Sequence, residues 1–276
     1  MRTPPQPDLT QIDPPIQGPS AKTFFGSWAA RYDAKYDEHN ADGHALRARM
    51  NTVLRFVGQG DGTALDAGMG PGRLALELAR RGWEVSGLDS AAEMVALASA
   101  RMPDASDRFS VGDIENLPFP AESFDVVVAT GVLEYSSLER ALGEVARVLK
   151  PGGRAVVSYP NPVAVYAIWK TKLFYPLVRA AKGVITRRRL QLPRGAPAQK
   201  PKQFEAVLTR AGLAPVARVY TSFLPTISPL DELAPTLSMK VGERLEGSGG
   251  DRLGRLFAIQ VVFAARKPET PPLPQQ

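Results

Sequence analysis

The sequence predicts an α/β fold built on a doubly wound, mostly parallel sheet. Short apolar runs typical of buried strands alternate with longer runs of helical spacing over most of the chain. In addition, the first apolar run is joined to a helix by three closely spaced glycines, Gly68, Gly70 and Gly72. Such a turn lets the backbone approach a ligand at the start of a helix, so a ligand site is expected there.

Seven strands are expected, near residues 63–66, 84–89, 109–113, 124–130, 154–159, 216–222 and 256–265. Helices are expected between them at residues 73–81, 91–101 and 138–149, and two more before the first strand at 24–33 and 43–56. In the helix at 138–149, apolar Leu142, Val145 and Leu149 recur at spacings of three and four, which indicates one buried face. The regular alternation makes the early strands parallel.

The glycine spacing narrows the choice of ligand. It is G-x-G-x-G with no lysine following, so it matches neither the dinucleotide fingerprint nor the phosphate loop. Asp66, just before the glycines, suits an ammonium group better than a pyrophosphate. Asp89 ends the next apolar run about 20 residues on, where a doubly wound fold places a carboxylate for ribose hydroxyls. Ribose and ammonium together point to S-adenosylmethionine.

Further motifs lie along the same part of the chain. Residues 109–114 read FSVGDI, residues 117–127 read LPFPAESFDVV and residues 149–153 read LKPGG. With the glycine turn and the acid-ended second strand, they resemble in the same order the motifs of class I S-adenosylmethionine-dependent methyltransferases. The resemblance runs from about Trp28 to Tyr159 and is greatest to the ubiquinone/menaquinone type. It implies a Rossmann-like sheet of seven strands with one antiparallel strand in a final hairpin.

The resemblance also implies which residues hold the cofactor. Asp66 and the backbone of Gly68, Gly70 and Gly72 would position the methionine part, and Asp89 the ribose. Three more segments would complete the site. They are Ser90 beside the carboxylate that binds the ribose, Asp113 and Ile114 at the adenine, and Thr130 and Gly131 beside the reactive methyl group.

Local roles remain open for some of these residues. Asp89 or Ser90 can cap the helix that begins near Ala91, and Asp113 can satisfy a turn before Asn116.

Two residues are candidates for catalysis. In many relatives the segment after the fourth strand ends in Glu-His, and the histidine serves as a base, whereas this chain has Tyr135 there. Tyrosine has an ordinary pKa of about 10, so Tyr135 is a poor base at neutral pH, but it can orient a hydroxyl or face the sulfonium. Its alternative role is packing over the ligand. His44, on the helix at 43–56, is the second candidate base, and an ordinary surface histidine is its alternative.

Aromatic residues of the first helix resemble the family's closing segment. Trp28, Tyr32 and Tyr36 recur at helical spacing, and Tyr32 is expected to contact the cofactor. Packing of this face on the core is the alternative.

Composition limits the other possibilities. The absence of cysteine excludes disulfides and thiolate metal sites, and His39 and His44 alone could supply imidazole, so no metal centre is expected. Neither an apolar run of about 18 residues nor a signal-peptide pattern is found, which predicts a cytoplasmic protein. One methyltransferase domain is expected at residues 21–267, between proline-rich, disordered tails at 1–20 and 268–276.

Positive charge is concentrated in one region. Residues 163–218 carry twelve cations and Glu205 as their only acid, which gives a net charge of +11 in a chain of +6. With the aromatic residues at its start, this region predicts an amphipathic lid at about 163–200 with a cationic rim. Such a lid would attract a phosphate, a carboxylate, an anionic membrane or an acidic carrier protein. Its alternative is a solvated helical hairpin covered by long basic side chains.

A nucleic-acid partner ranks behind these. Arg187, Arg188 and Arg189 could track phosphates, but no recognised nucleic-acid module is present, and the strand-four segment lacks the N/D-P-P-Y/F pattern of nucleobase methyltransferases.

The sequence therefore predicts in-line methyl transfer from S-adenosylmethionine to a small lipophilic or anionic molecule, with O-methylation first. N- or C-methylation, and a noncatalytic S-adenosylmethionine-binding regulatory module, are the alternatives. The oligomeric state stays open.

Overall fold

The computed structural model describes residues 19–169, 198–224, 234–248 and 251–269. Most of the predicted lid at about 163–200 lies outside the described residues, as do nearly all residues of the two predicted tails. The first helix begins at Pro19, two residues inside the predicted N-terminal tail. Proline is favoured at the first position of a helix, because its missing N–H is not needed there.

Seven strands form one sheet in the order β3-β2-β1-β4-β5-β7-β6. The strands are β1 (Thr63–Ala67), β2 (Glu84–Asp89), β3 (Phe109–Val111), β4 (Phe124–Ala129), β5 (Leu149–Pro160), β6 (Ala214–Phe223) and β7 (Ala258–Arg266). Neighbours among β1 to β5 pair in parallel, whereas β7 runs antiparallel to both β5 and β6. The predicted doubly wound sheet with one antiparallel strand is confirmed.

Nine α-helices are found in the described part of the chain. They are α1 (Pro19–Ala34), α2 (Ala41–Val57), α3 (Arg73–Arg80), α4 (Ala92–Arg101), α5 (Leu138–Val148), α6 (Val165–Trp169), α7 (Pro201–Arg210), α8 (Pro235–Ser248) and α9 (Asp251–Phe257). None of the described helices combines the length and apolar character that crossing a bilayer requires.

Three strand boundaries differ from those predicted from the sequence, because strand pairing and neighbouring helices determine where a strand begins and ends. β5 begins at Leu149 rather than at residue 154, because Leu149 pairs with Phe124 before the strand irregularity around its two glycines. β7 begins at Ala258 rather than at 256, since the preceding residues form α9. β3 ends at Val111, so Asp113 lies in the following turn and not in the strand.

The sheet is buried on both faces, as a parallel sheet requires. Along β4, Val127 and Ala129 face a core shared with α5 and α7, whereas Val126 and Val128 face a second core shared with α2 and α3. The alternation follows from the two-residue period of a strand. Because β1 to β5 run in parallel, all of them end at one edge of the sheet, where polar residues can gather.

An aromatic stack fixes α7 on the sheet. Phe204 of α7 is fully buried, and its ring centroid lies 4.6 Å from those of Tyr159 on β5 and Phe263 on β7. α7 thereby covers the part of the sheet that contains the antiparallel pairings.

Replacement of Phe204 by alanine should lower the free energy of unfolding by about 3 to 5 kcal/mol, because the change removes a fully buried ring and leaves a cavity. Urea denaturation measures the loss. Val216→Ala is the control, because Val216 is 70% exposed and its truncation should cost well under 1 kcal/mol. Equal losses in the two variants would contradict the packing described for α7.

Candidate functional site at the glycine turn

The turn after β1 adopts a conformation that favours glycine. Gly68, Gly70 and Gly72 have φ angles of +80°, +52° and +75°. A Cβ on Gly68 would lie 2.7 Å from the Cβ of Val132, and a Cβ on Gly72 would lie 2.8 Å from the Cβ of Ala98. The turn is therefore packed between the segment after β4 and helix α4, and side chains are excluded by both conformation and space.

Asp89, at the end of β2, holds this turn in place. Its Oδ2 accepts a hydrogen bond from the Gly70 amide at 2.9 Å, and its Oδ1 accepts one from the Ala91 amide at 2.9 Å. Burial raises the pKa of Asp89, although these amide donors act to lower it. The N-cap of α4 is Ala91, with no side-chain cap, so Asp89 holds the turn before the helix and does not cap the helix itself. Ser90 is half-buried in the bend between Asp89 and α4.

Asp66 is the most constrained group of the site. It is 1% exposed, and neither carboxylate oxygen has a hydrogen-bond partner among the described residues. Burial, and secondarily the charge of Asp89, raise the pKa of Asp66 to about 7, while the backbone amide of Ala75 acts to lower it. A buried carboxylate with so little hydrogen bonding is costly unless it is protonated or meets a cation. The ammonium group of S-adenosylmethionine fits this requirement.

A buried guanidinium, missed by the sequence analysis, lies near the same edge. Arg49 of α2 is only 8% exposed, and its Nη2 donates to the Tyr32 hydroxyl at 3.5 Å. A Cβ on Gly131, after β4, would lie 3.0 Å from the Nη1 of Arg49. Burial raises the pKa of nearby Glu134, while the positive charge of Arg49 opposes that rise. The only sign of Arg49 in the sequence is that a charged residue falls on the apolar face of an amphipathic helix.

The aromatic candidates pack together against this cluster. The ring of Phe25 on α1 contacts Tyr32 edge-on at 5.9 Å and Tyr135 at 5.3 Å, and Tyr32 contacts Tyr36 at 6.1 Å. Burial raises the pKa of Tyr135 still further above neutrality. Tyr135 therefore fits its packing alternative better than the role of a base.

His44 lies elsewhere, and its surface alternative is wrong. It is 4% exposed and faces α8, with its Nε2 3.7 Å from Oε1 of Glu246. A Cβ on Gly242 of α8 would lie 2.8 Å from that nitrogen. His44 and Arg49 are five residues apart on α2 and so point about 140° apart. The contacts of His44 are with α8, whereas those of Arg49 are with the segment after β4.

The adenine candidates sit in a tight turn. Asp113 is exposed, and its Oδ1 accepts a hydrogen bond from the Glu115 amide at 2.9 Å, which is the turn alternative for this residue. Ile114 is 5% exposed and packs in the core that contains Leu88 and Leu117. Their adenine roles stay predictions.

Thr130 and Gly131 follow directly after β4, beside β1. Gly131 has a φ of +69°, and its amide donates to the Ser158 hydroxyl at 3.1 Å. Because β1, β2 and β4 are neighbouring parallel strands, Asp66, Asp89 and Gly131 share one edge of the sheet.

Ion pairs clamp α1 beside the glycine turn. Asp33 of α1 accepts hydrogen bonds from Arg73 at 2.7 Å and from Arg101 at 2.8 Å. Arg101 also donates to the carbonyl of Pro71 within the turn. Burial alone would raise the pKa of Asp33, but the two arginines hold it below its ordinary value. Asp33 directly follows Tyr32 in the sequence, which gave no sign of its two arginine partners.

Comparison with known proteins agrees with this geometry. Residues 65–157 match a family described as a methyltransferase domain. The malonyl-acyl-carrier-protein O-methyltransferase of Enterobacter lignolyticus is 34% identical over 141 residues, which are 51% of this chain and 53% of that protein. The demethylmenaquinone methyltransferase of Thermus thermophilus is 40% identical over 145 residues, 50% of this chain and 66% of that protein.

The whole fold has solved counterparts as well. A chain from the complex between the Haloferax volcanii Trm112 methyltransferase activator and a methyltransferase superposes with a TM-score of 0.60. The alignment has 21% identity and covers 89% of this chain and 98% of that chain.

The fold, the glycine turn and the family match over residues 65–157 together resemble those of a class I S-adenosylmethionine-dependent methyltransferase domain. The predicted enzyme class and cofactor are confirmed at the level of this domain. The chain spans 53% and 66% of the lengths of these two relatives. The residue assignments and the acceptor stay predictions.

The raised pKa of Asp66 predicts a pH dependence of stability. Because the pKa is about 7 in the folded chain and 3.8 ordinarily, the folded chain binds the Asp66 proton more tightly. This contribution to stability is fully present below pH 3.8 and is lost as the pH rises through 7. Without cofactor, the parent should lose up to roughly 4 kcal/mol relative to Asp66→Asn between pH 4 and pH 8.

Urea denaturation across that pH range measures the difference. Asp61→Asn, which removes an exposed carboxylate, controls for the change in net charge. Parallel stability profiles for the parent and Asp66→Asn would show that Asp66 is not the strained group described.

Proposed function

We propose that this chain binds S-adenosylmethionine at the glycine turn and transfers its methyl group to an acidic oxygen of a small anionic or lipophilic acceptor. The observation that carries the proposal is a pair of buried, oppositely charged groups, Asp66 and Arg49, on either side of the site. A zwitterionic amino-acid end, such as that of S-adenosylmethionine, is complementary to such a pair.

Tyr36 links the surroundings of the two charges. Tyr36 lies within electrostatic reach of both, because its pKa, raised first by burial, is also raised by Asp66 and lowered by Arg49. In the proposed complex, Asp66 pairs with the ammonium group and Arg49 with the carboxylate, and each buried charge gains the partner that burial makes valuable.

The remaining cofactor contacts follow from the edge of the sheet. Asp89 accepts one amide hydrogen bond on each oxygen, and a carboxylate oxygen can accept a second, so the ribose hydroxyls can still donate to it. Ser90 adjoins this contact, and Asp113 and Ile114 stand at the adenine end. Tyr32 closes over the site from α1, whose clamp to α3 and α4 keeps the closing helix in place.

Bound S-adenosylmethionine supplies an electrophilic methyl group. The protein aligns the acceptor with that group and excludes water. Thr130, Gly131 and Tyr135 form the wall against which the acceptor would be aligned for in-line attack. The rings of Phe25, Tyr32 and Tyr135 exclude water from that wall. Most of the rate enhancement is expected from this alignment.

The kind of acceptor follows from where the structure places the two predicted bases. Burial raises the pKa of Tyr135, and His44 faces α8, so within the described residues neither predicted base serves at the wall. An oxygen that is already ionised at neutral pH, such as a carboxylate, needs no base. The similarity to a malonyl-acyl-carrier-protein O-methyltransferase agrees with this preference. N- or C-methylation and a noncatalytic binding role are alternatives to be decided by experiment.

The direct test incubates the protein and methyl-labelled S-adenosylmethionine with cell extract separated into lipid, polar-metabolite, protein and nucleic-acid fractions. Label is expected in small molecules or lipids and should be released as methanol by mild alkali, because methyl esters hydrolyse. Alkali-stable label would indicate ether, N- or C-methylation. Labelled nucleic acid would contradict the acceptor class. Cofactor binding without any labelled product would favour the noncatalytic module.

A second prediction concerns protons. With a pKa of about 7, Asp66 is roughly half protonated at pH 7 and must ionise to pair with an ammonium. S-adenosylmethionine binding should release about half a proton from the parent at that pH. Calorimetry in two buffers of different ionisation enthalpy measures the release.

The Asp66→Asn variant should bind more weakly and lose this component, while the surface variant Asp61→Asn should retain it. Identical binding heats for the parent in both buffers would sink the assignment of Asp66 to the ammonium group.

A further inference from the structure

A second pocket lies on the part of the chain that follows the matched methyltransferase domain. It is a cavity of about 260 Å³ between α7, β6 and α9, with Val163 at its margin. This volume is slightly below the range of about 300 to 1,000 Å³ for sites that enclose whole small molecules, so it suits one part of a ligand.

The lining of this pocket is strongly cationic. Five basic side chains from three elements and the cap of α7 converge on it: Lys200, Lys202, Arg218, Arg252 and Arg255. Arg218 forms an ion pair with Glu205 at 3.1 Å. For the other four, the described residues include no ion-pair partner. These four side chains are exposed. Like charges brought together repel one another, and a bound anion would relieve that repulsion.

The shape of the cluster selects a compact anion. A nucleic-acid strand requires an extended groove with stacked aromatic rings. Among the described residues that line the pocket, the only aromatic one is Tyr220, which is 8% exposed and covered by α9 at Gly254, where a Cβ would lie 2.5 Å from the Cβ of Tyr220. Planar guanidinium groups bind phosphoryl oxygens in pairs, and a multiply charged phosphoryl group matches several cations better than a single carboxylate does.

The pocket lies at the same end of the sheet as the cofactor site. Tyr220 pairs with Val261, which pairs with Tyr159, next to the Ser158 that contacts Gly131. β6 is three strands from β4, which corresponds to about 14 Å along the edge.

We propose that this pocket binds a phosphoryl group of the methyl acceptor and so anchors an elongated molecule whose other end reaches the methyl donor. The link to the acceptor rests on the proposed function, whereas phosphoryl binding by the pocket does not.

The test measures binding of inorganic pyrophosphate by calorimetry, with S-adenosylmethionine binding measured on the same samples. The double variant Arg252→Gln/Arg255→Gln should weaken pyrophosphate binding about tenfold and leave S-adenosylmethionine binding unchanged. The control Arg80→Gln/Arg266→Gln removes the same charge from exposed sites outside the pocket and should have little effect. Pyrophosphate should also raise the Tm of the parent, and the pocket variant should fold with unchanged or higher Tm.

Equal weakening in the two double variants would show general charge attraction and overturn the proposal. So would the absence of pyrophosphate binding beside normal S-adenosylmethionine binding. Binding to phosphatidylglycerol vesicles without binding to pyrophosphate would assign the cations to a membrane surface and refute an enclosed subsite. If the parent does not bind S-adenosylmethionine, the proposed function is contradicted. The pyrophosphate result would still decide whether the pocket binds a phosphoryl group.

Discussion

A buried carboxylate without a hydrogen-bond partner among the described residues is the constraint on which the rest of the site depends. Asp66 ends up at the centre of a sheet covered on both faces, and burial together with Asp89 raises its pKa to about 7. Asp89 cannot relieve the strain, since its own oxygens hold Gly70 and Ala91. The site therefore favours a ligand that brings a positive charge to Asp66. Arg49 could bind a negatively charged group of the same ligand.

The glycine turn and helix α1 are held together by a shared set of ion pairs and hydrogen bonds. Arg73 begins the helix that follows the turn, and it binds Asp33 of α1, which also binds Arg101. Arg101 in turn contacts the turn carbonyl of Pro71. The ion pairs that hold α1 in place thus also fix the end of the turn, so the aromatic residues of α1 and the glycine turn are positioned together.

The antiparallel strands extend the sheet beyond the family's matched segment. They add a cationic pocket at the same edge, about 14 Å from the segment after β4. The sequence shows that residues 163–218 are basic, but not that Lys200 and Arg218 meet Arg252 and Arg255. Cations spread over a chain segment indicate general attraction to anions. Only their convergence, which depends on how α9 packs on β6, indicates a site.

The sequence by itself determined the alternation of strands and helices, the glycine turn, and the acids Asp66 and Asp89. These features depend on local periodicity and on residues placed at strand ends, so they can be read along the chain. Tertiary structure decided that Arg49 lies against Gly131, that His44 faces α8, and that Tyr135 packs among aromatic rings. The reason is that burial and partnership are properties of surfaces brought together from distant segments, and helical spacing gives a side chain a direction but does not name its neighbour.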